Sequence, residues 1–246
     1  MGRRGVSPAA VRSPLAVSAK GVSLERAAAE PDPLLAREAA FPLKIGVLGG
    51  TFDPPHLGHL WLATLAADAL GLDRVLLMPA ARPPHKSGRQ ITNAADRVLM
   101  ARLAISGDPL LEISLVEMER SGPSYTVESL EALRERHGAG TRFFLVMAAD
   151  SLAQIGSWRQ PDRLLQLAEW AVGPRPGIPM PAPEALRDRF GAAAERIHLL
   201  VGPSLEVSGT DVRRRVAAGR SIRYLVPRAV EELIRERGLY RRPPRQ

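Results

Sequence analysis

His56 and His59 stand three residues apart at the end of the segment Gly49-Gly50-Thr51-Phe52-Asp53-Pro54-Pro55-His56-Leu57-Gly58-His59. The segment follows an apolar run, Lys44 to Leu48, and continues into a helical pattern that extends to Leu70. It reads as strand, glycine turn, helix. A helix entered from a glycine turn points unbonded backbone N–H groups and the positive end of its dipole at whatever occupies the turn, and phosphate suits that place. If Pro55 or His56 opens the helix, both imidazoles project from one face beside those N–H groups. The ligand that fits is a polyphosphate, with Gly49, Gly50, Thr51 and Phe52 as the turn and His56 and His59 as side-chain partners.

The spacing is neither G-x-G-x-x-G nor a glycine loop closed by Gly-Lys-Ser/Thr, which argues against a P-loop kinase or ATPase. A helix-borne zinc pair is normally four apart with a Glu between, and no third ligand lies at a telling distance, so no residue is assigned to a metal. The plain alternative is a glycine hairpin carrying two surface histidines.

A second candidate anion site is Ser208-Gly209-Thr210-Asp211-Val212-Arg213, where two hydroxyls flank a glycine before the helical pattern Asp211 to Ala218. Thr210 is the expected N-cap, and Arg213 offers from the first turn a planar fork for two oxygens. Read alone, without the first motif, the segment is better taken as a capped surface helix in an Arg-rich region. Lys86, in the Pro-stiffened stretch Arg82-Pro83-Pro84-His85-Lys86, is a cation able to reach over a triphosphate, or a solvated loop lysine. Arg97 is read as a surface or helix-pair charge. Asp150, at a strand end, is expected to face the cleft as an unpaired carboxylate. Tyr125 and Trp158 could line that cleft or pack in the core.

The elements that must hold these residues alternate along the chain. Apolar runs at Lys44–Leu48, Arg74–Met78, Leu111–Val116 and Arg142–Met147 each precede a helical stretch, at Leu57–Leu70, Asn93–Ile105, Val127–His137 and Pro161–Leu167; Glu169–Val172 and Ile197–Val201 add two further strands. This pattern predicts an α/β fold, a doubly wound parallel sheet with its ligand at the carboxyl ends of the strands. One catalytic domain over residues 43–240 is expected. Residues 1–42 read as a disordered extension or a start codon placed too early, and 241–246 as a basic tail.

Composition limits the function classes. The 246 residues are 45% hydrophobic, without a run of eighteen apolar residues, and no membrane partner is expected. The absence of cysteine excludes disulfides, thiolate catalysis and Cys-ligated zinc, and agrees with a cytoplasmic setting. The net charge of +8 raises the question of nucleic acid, but residues 1–40 hold +2 of it and residues 241–246 hold +3. With 4% aromatics not interleaved with basic residues, a nucleic-acid partner is not expected. A homo-oligomer is compatible with all of this.

The string G-G-T-F-D-P-P-H-L-G-H resembles the signature of the nucleotidylyltransferase superfamily, and Ser208 to Arg213 resembles the I-S-S-T-x-I-R signature of its adenylyltransferases. Pro83-Pro84-His85-Lys86, Ser124-Tyr125-Thr126 and Asp150-Ser151-Leu152 with Trp158 beyond it are similar to the nicotinate mononucleotide branch, and the likeness spans about residues 43–240. The resemblance implies a Rossmann-like fold and ATP with Mg²⁺ as a substrate, the nucleotide held by Gly49, Gly50, Thr51, Phe52, His56, His59, Lys86, Ser208, Thr210 and Arg213. It implies nicotinate mononucleotide as acceptor, at Tyr125, Thr126, Asp150 and Trp158, and His56, His59 and Arg213 as the catalytic residues. A pyridinium gains from the Trp158 face, and its carboxylate from helix-start amides near the Tyr-Thr pair. Two departures stand out: Gly209 where the family usually has a second serine, and Ala148 where it often has glycine. Nicotinamide mononucleotide or another phosphorylated acceptor, and a non-catalytic nucleotide sensor, are the competing readings.

Overall fold

The computed structural model describes residues 42–83 and 91–241. The expectations for the N-terminal extension, for the basic tail beyond Arg241 and for His85 and Lys86 lie outside the described residues. Among these, six strands form one sheet: β1 Lys44–Gly50, β2 Arg74–Pro79, β3 Leu111–Ile113, β4 Arg142–Ala148, β5 Glu169–Gly173 and β6 Ile197–Leu199. Their order across the sheet is β3-β2-β1-β4-β5-β6 and every neighbouring pair is parallel. This is the doubly wound α/β fold that the alternation predicts.

The helices are α1 Leu57–Leu70, α2 Ala94–Ala104, α3 Thr126–His137, α4 Ala149–Ala153, α5 Pro161–Leu167, α6 Pro183–Phe190, α7 Gly209–Ala217 and α8 Arg228–Glu236. Because successive strand residues point to opposite faces, the sheet separates two apolar layers. Ile45 and Val47, then Phe143, Leu145 and Met147, then Trp170 and Val172 pack with Leu130 and Leu133 of α3 and Leu164 of α5. Leu48, Phe144, Val146 and Ala171 face Ala63 and Ala66 of α1. Gly173, at the end of β5, lets α1 approach closely, since a Cβ there would stand 2.3 Å from the Leu62 Cδ1.

β1 and β4 are neighbours whose outgoing helices lie over different faces, α1 after β1 on one and α4 and α5 after β4 on the other; the crevice at their carboxyl ends is the topological switch point where ligands of such sheets bind. Gly49 and Gly50 end β1 on one side of it, and Ala148 ends β4 on the other.

Several elements differ from the sequence expectation. β3 and β6 each stop after three residues instead of continuing to Val116 and Val201. Both are edge strands, and their apolar continuation serves other ends: Val116 is fully buried in a loop, and Val201 is 92% exposed. Helices α4, α6 and α8 have no counterpart in the sequence pattern. α8 packs Val230, Leu233 and Ile234 onto Met100 of α2 and Val212 of α7, which brings Tyr240 back to the glycine turn.

Candidate active site

A cavity of about 540 Å³ opens at the carboxyl ends of β1 and β4. It is lined by Gly49, Gly50, Thr51, Phe52, His56, His59, Tyr125, Thr126, Asp150, Trp158, Ser208, Thr210 and Arg213. Every candidate site residue within the described residues therefore reaches the same space, although up to 164 positions separate Gly49 from Arg213.

The helix α1 starts at Leu57, with His56 as its extended N-cap, one residue later than an opening at His56 would give. The two imidazoles still share a face, stacked with centroids 3.7 Å apart. The His56 N–H donates to Nδ1 of His59 at 3.2 Å. A neutral His59 ring that accepts at Nδ1 carries its proton on Nε2, as a donor. The Phe52 ring is 1% exposed and lies edge-on to His59, 4.9 Å between centroids, so it supports that imidazole from beneath the turn. His56 is 5% exposed, and its Nδ1 has no hydrogen-bond partner among the described residues. Burial, aided by the positive field of Arg175, lowers its pKa to about 4, so the ring is neutral near pH 7.

The helix start has fewer open amides than the strand-turn-helix reading implies. Leu57 N–H donates to the Leu225 carbonyl at 2.9 Å, and His59 N–H donates to the His56 carbonyl at 2.9 Å. The first turn of α1 contains no acidic side chain, so no carboxylate of its own occupies the positive end of the dipole. The glycine of this segment has a packing reason: a Cβ on Gly58 would stand 3.1 Å from Nδ1 of His56.

At the second helix start the N-cap is Ser208 and not Thr210; its hydroxyl accepts from Asp211 N–H at 3.1 Å. Thr210 faces the next turn instead and accepts from Arg213 Nη2 at 3.1 Å. Arg213 reaches across to the glycine turn, donating from Nη1 to the Asp53 carbonyl at 2.5 Å, with the Asp53 carboxylate 3.9 Å away. Gly209 fits this contact, since a Cβ there would lie 3.1 Å from the Asp53 carbonyl and 3.3 Å from Arg213 Nη1.

Asp150 is not unpaired: Arg175 Nε lies 3.7 Å from its Oδ2, and Oδ1 accepts from Ser151 N–H at 3.1 Å. Trp158 follows a 3-10 turn, Ile155–Ser157, and is partly buried against the core, as is Tyr125. Both aromatics thus line the cavity and pack at once. Tyr125 precedes α3, which begins without a side-chain cap, and the Arg159 guanidinium lies 4.6 Å above its ring. The Tyr125 amide is already engaged with the Pro123 carbonyl at 3.0 Å, so a carboxylate brought to this end meets the amides after it.

Two further residues, Arg175 and Glu117, belong to the site without a clear sequence signal, and Arg97 differs from its expected place. Arg175 lines the cavity from the Pro174-Arg175-Pro176 stretch, where one cation between two prolines was the available signal. Glu117 is 5% exposed, accepts from Ser129 Oγ at 2.8 Å, and leaves Oε2 without a partner among the described residues. Arg97 is no surface charge: it is 2% exposed and donates to the carbonyls of Thr92 (2.9 Å), Thr51 (2.9 Å) and Ala80 (2.7 Å). It joins the carboxyl ends of β1 and β2, and burial lowers its pKa.

The family model described as cytidylyltransferase-like matches residues 47–215. A Thermomicrobium roseum protein named probable nicotinate-nucleotide adenylyltransferase is 46% identical over 80% of this chain and 92% of its own length. A Roseiflexus protein of the same name is also 46% identical, over 80% of this chain and 98% of its own. Among solved structures, Plasmodium falciparum nicotinic acid mononucleotide adenylyltransferase complexed with NaAD superposes with a TM-score of 0.67 over 80% of this chain and 97% of that one; at 18% identity it speaks for the fold. With the cavity at the switch point and a match over most of the strands, the chain belongs to the cytidylyltransferase-like family, in the group of nicotinate-nucleotide adenylyltransferases.

Proposed function

We propose that the cavity transfers the adenylyl group of ATP to nicotinate mononucleotide, giving deamido-NAD and pyrophosphate, a step of NAD biosynthesis carried out in the cytoplasm. The observation that carries this reading is the meeting in one cavity of two helix starts with His56, His59 and Arg213 and of an aromatic end with Tyr125 and Trp158. The names of relatives at 46% identity agree with it.

A phosphate oxygen of the mononucleotide attacks the α-phosphorus of ATP. The bond from that phosphorus to the bridging oxygen of the β-phosphate breaks, and pyrophosphate leaves with the electron pair. The attacking phosphate is already an anion, so no general base is needed and alignment and charge neutralisation carry the rate. His59 donates from Nε2 to an α-phosphate oxygen, and the glycine turn Gly49 to Phe52 holds the phosphates from below. His56, neutral in the ligand-free protein, takes up a proton as the polyphosphate arrives. Arg213, with Ser208 and Thr210 beside it and Lys86 from its loop, receives the β and γ oxygens. Tyr125, Thr126, Asp150 and Trp158 hold the acceptor, the indole against the pyridinium.

ATP enters as its Mg²⁺ complex. Among the described residues no three His, Asp or Glu side chains gather to hold a metal, and the Asp53 carboxylate is occupied by Tyr240. The donor set fits a cation that arrives on the phosphates and keeps much of its water.

The test is pyrophosphate release from ATP and Mg²⁺ with nicotinate mononucleotide, nicotinamide mononucleotide and phosphopantetheine in parallel, the product identified by mass. Release with nicotinate mononucleotide well above the others is expected. Release only with another acceptor would overturn the assignment of the aromatic end, and no release with any would overturn the enzymatic reading.

A further inference from the structure

Tyr240 lies 187 residues beyond Asp53 in the chain, yet its hydroxyl donates to Oδ1 of Asp53 at 2.7 Å. Its ring is partly buried against the α2–α7–α8 cluster, and the hydroxyl lies 3.8 Å from the Met100 sulfur. The chain turns sharply to put it there, for Tyr240 has φ +64° and Gly238 has φ +61°. A bulky side chain in the left-handed region is unfavourable and persists only where its surroundings hold it. Burial raises the Tyr240 pKa, so the phenol keeps the proton it donates.

Asp53 is 6% exposed and sits in the glycine turn between this hydroxyl and Arg213. Its carbonyl accepts from Arg213 Nη1 at 2.5 Å, while its Oδ2 stays 3.9 Å from the same nitrogen, too far for a hydrogen bond. The carboxylate also accepts from the Thr92 N–H, long at 3.5 Å. Tyr240 is thus the short, well-made bond on a buried carboxylate that feels two guanidiniums, Arg97 and Arg213; Arg97 is already engaged with backbone carbonyls, and Arg213 stands 3.9 Å away.

We infer that Tyr240 is a positioning residue for ATP: by holding one oxygen of Asp53 it keeps the carboxylate from closing on Arg213, and so leaves that guanidinium available to the nucleotide's phosphates. The inference rests on the proposed role of Arg213. Without the phenol hydroxyl, Asp53 is free to close on Arg213, because the Arg97 donors are taken by the Thr92, Thr51 and Ala80 carbonyls, and an incoming phosphate must then displace a carboxylate.

The test is Tyr240→Phe in the full chain, which keeps the ring packing and removes the one donor. Steady-state rates with ATP and mononucleotide varied separately should give a KM for ATP raised about tenfold, with the KM for the mononucleotide and kcat within about twofold. Titration calorimetry with a non-hydrolysable ATP analogue and no acceptor should show the same loss of affinity. An unchanged affinity for the nucleotide, or a parallel loss for both substrates, would overturn the inference. If the unaltered protein turns over no mononucleotide, the proposed reaction fails, but calorimetry of the two proteins still decides the role of Tyr240. A circular dichroism spectrum matching the parent, with an unfolding midpoint lower by a few degrees, separates lost positioning from lost fold.

Discussion

Acid should destabilise this protein in part through one side chain, His56. In the unfolded chain its ring ionises near 6.5, and in the folded protein burial and Arg175 hold it at about 4. Above pH 6.5 the ring is neutral in both states and contributes no pH dependence. As the pH falls from 6.5 to 4, the unfolded chain binds a proton that the folded one refuses, so stability present above 6.5 is lost progressively. At 1.36 kcal/mol for each pH unit of difference between the two states, the full loss is about 3 kcal/mol, and below pH 4 it grows no further. Carboxylates titrate in the same window, so the measurement is a difference. Urea unfolding of the parent and of His56→Gln at pH 7.5, 6, 5 and 4 isolates the ring, because the other groups are common to both. The stability of the parent minus that of the variant should be flat above pH 6.5 and fall by about 3 kcal/mol by pH 4. A difference that stays constant across the range would refute the burial argument. The same ring links acid to ligand: a bound polyphosphate favours its charged form, so ATP binding at pH 6 should take up protons in the parent and fewer in His56→Gln. Calorimetry in buffers of different ionisation enthalpy measures that uptake.

Three substitutions probe the geometry around this ring, around Arg213 and around Arg97. Gly58→Ala should gain about 1 kcal/mol of helix propensity and yet lower turnover at least tenfold, because the new Cβ would stand 3.1 Å from the buried His56 ring; kcat and the urea midpoint read the two effects separately. Gly209→Ser supplies a hydroxyl but crowds the Asp53 carbonyl and Arg213, and should weaken ATP by about 1 kcal/mol, roughly fivefold in KM; a tighter KM would show that the hydroxyl outweighs the crowding. Arg97→Lys keeps the charge and loses the fork that joins the Thr51, Ala80 and Thr92 carbonyls. It should cost about 2–4 kcal/mol in urea unfolding and reduce turnover as the ends of β1 and β2 loosen.

The glycine turn, the paired histidines and the alternation of strands with helices are legible in the sequence because their physics is local. A turn needs glycine, a helix start needs a polar edge, and a buried parallel strand needs a short apolar run. What is not legible depends on partners brought from far along the chain. The Leu225 carbonyl that closes the start of α1 lies 168 residues beyond the amide it accepts from. Asp150 looks unpaired at a strand end until Arg175 arrives from a different connection. Val116 and Val201 extend two apolar runs that nothing local distinguishes from strand, yet one ends in the core and the other in solvent because β3 and β6 are sheet edges.

Arginine illustrates the limit best, since Arg97, Arg175 and Arg213 are the same cation and differ only in surroundings. Arg97 is 2% exposed and engaged with four carbonyls, counting the longer contact to Ala81, all of which a ligand would have to displace. The Arg175 and Arg213 side chains are 33% and 25% exposed, and each is held by contacts that phosphate can outcompete, a carboxylate at 3.7 Å in one case and a backbone carbonyl in the other. With His56 neutral, these two guanidiniums supply much of the resting positive charge around the cavity. Their field also helps keep His56 neutral, through Arg175, until an anion arrives. A polyphosphate that draws both guanidiniums onto itself reduces that repulsion and offers His56 a negative partner, so binding and the protonation of His56 should proceed together.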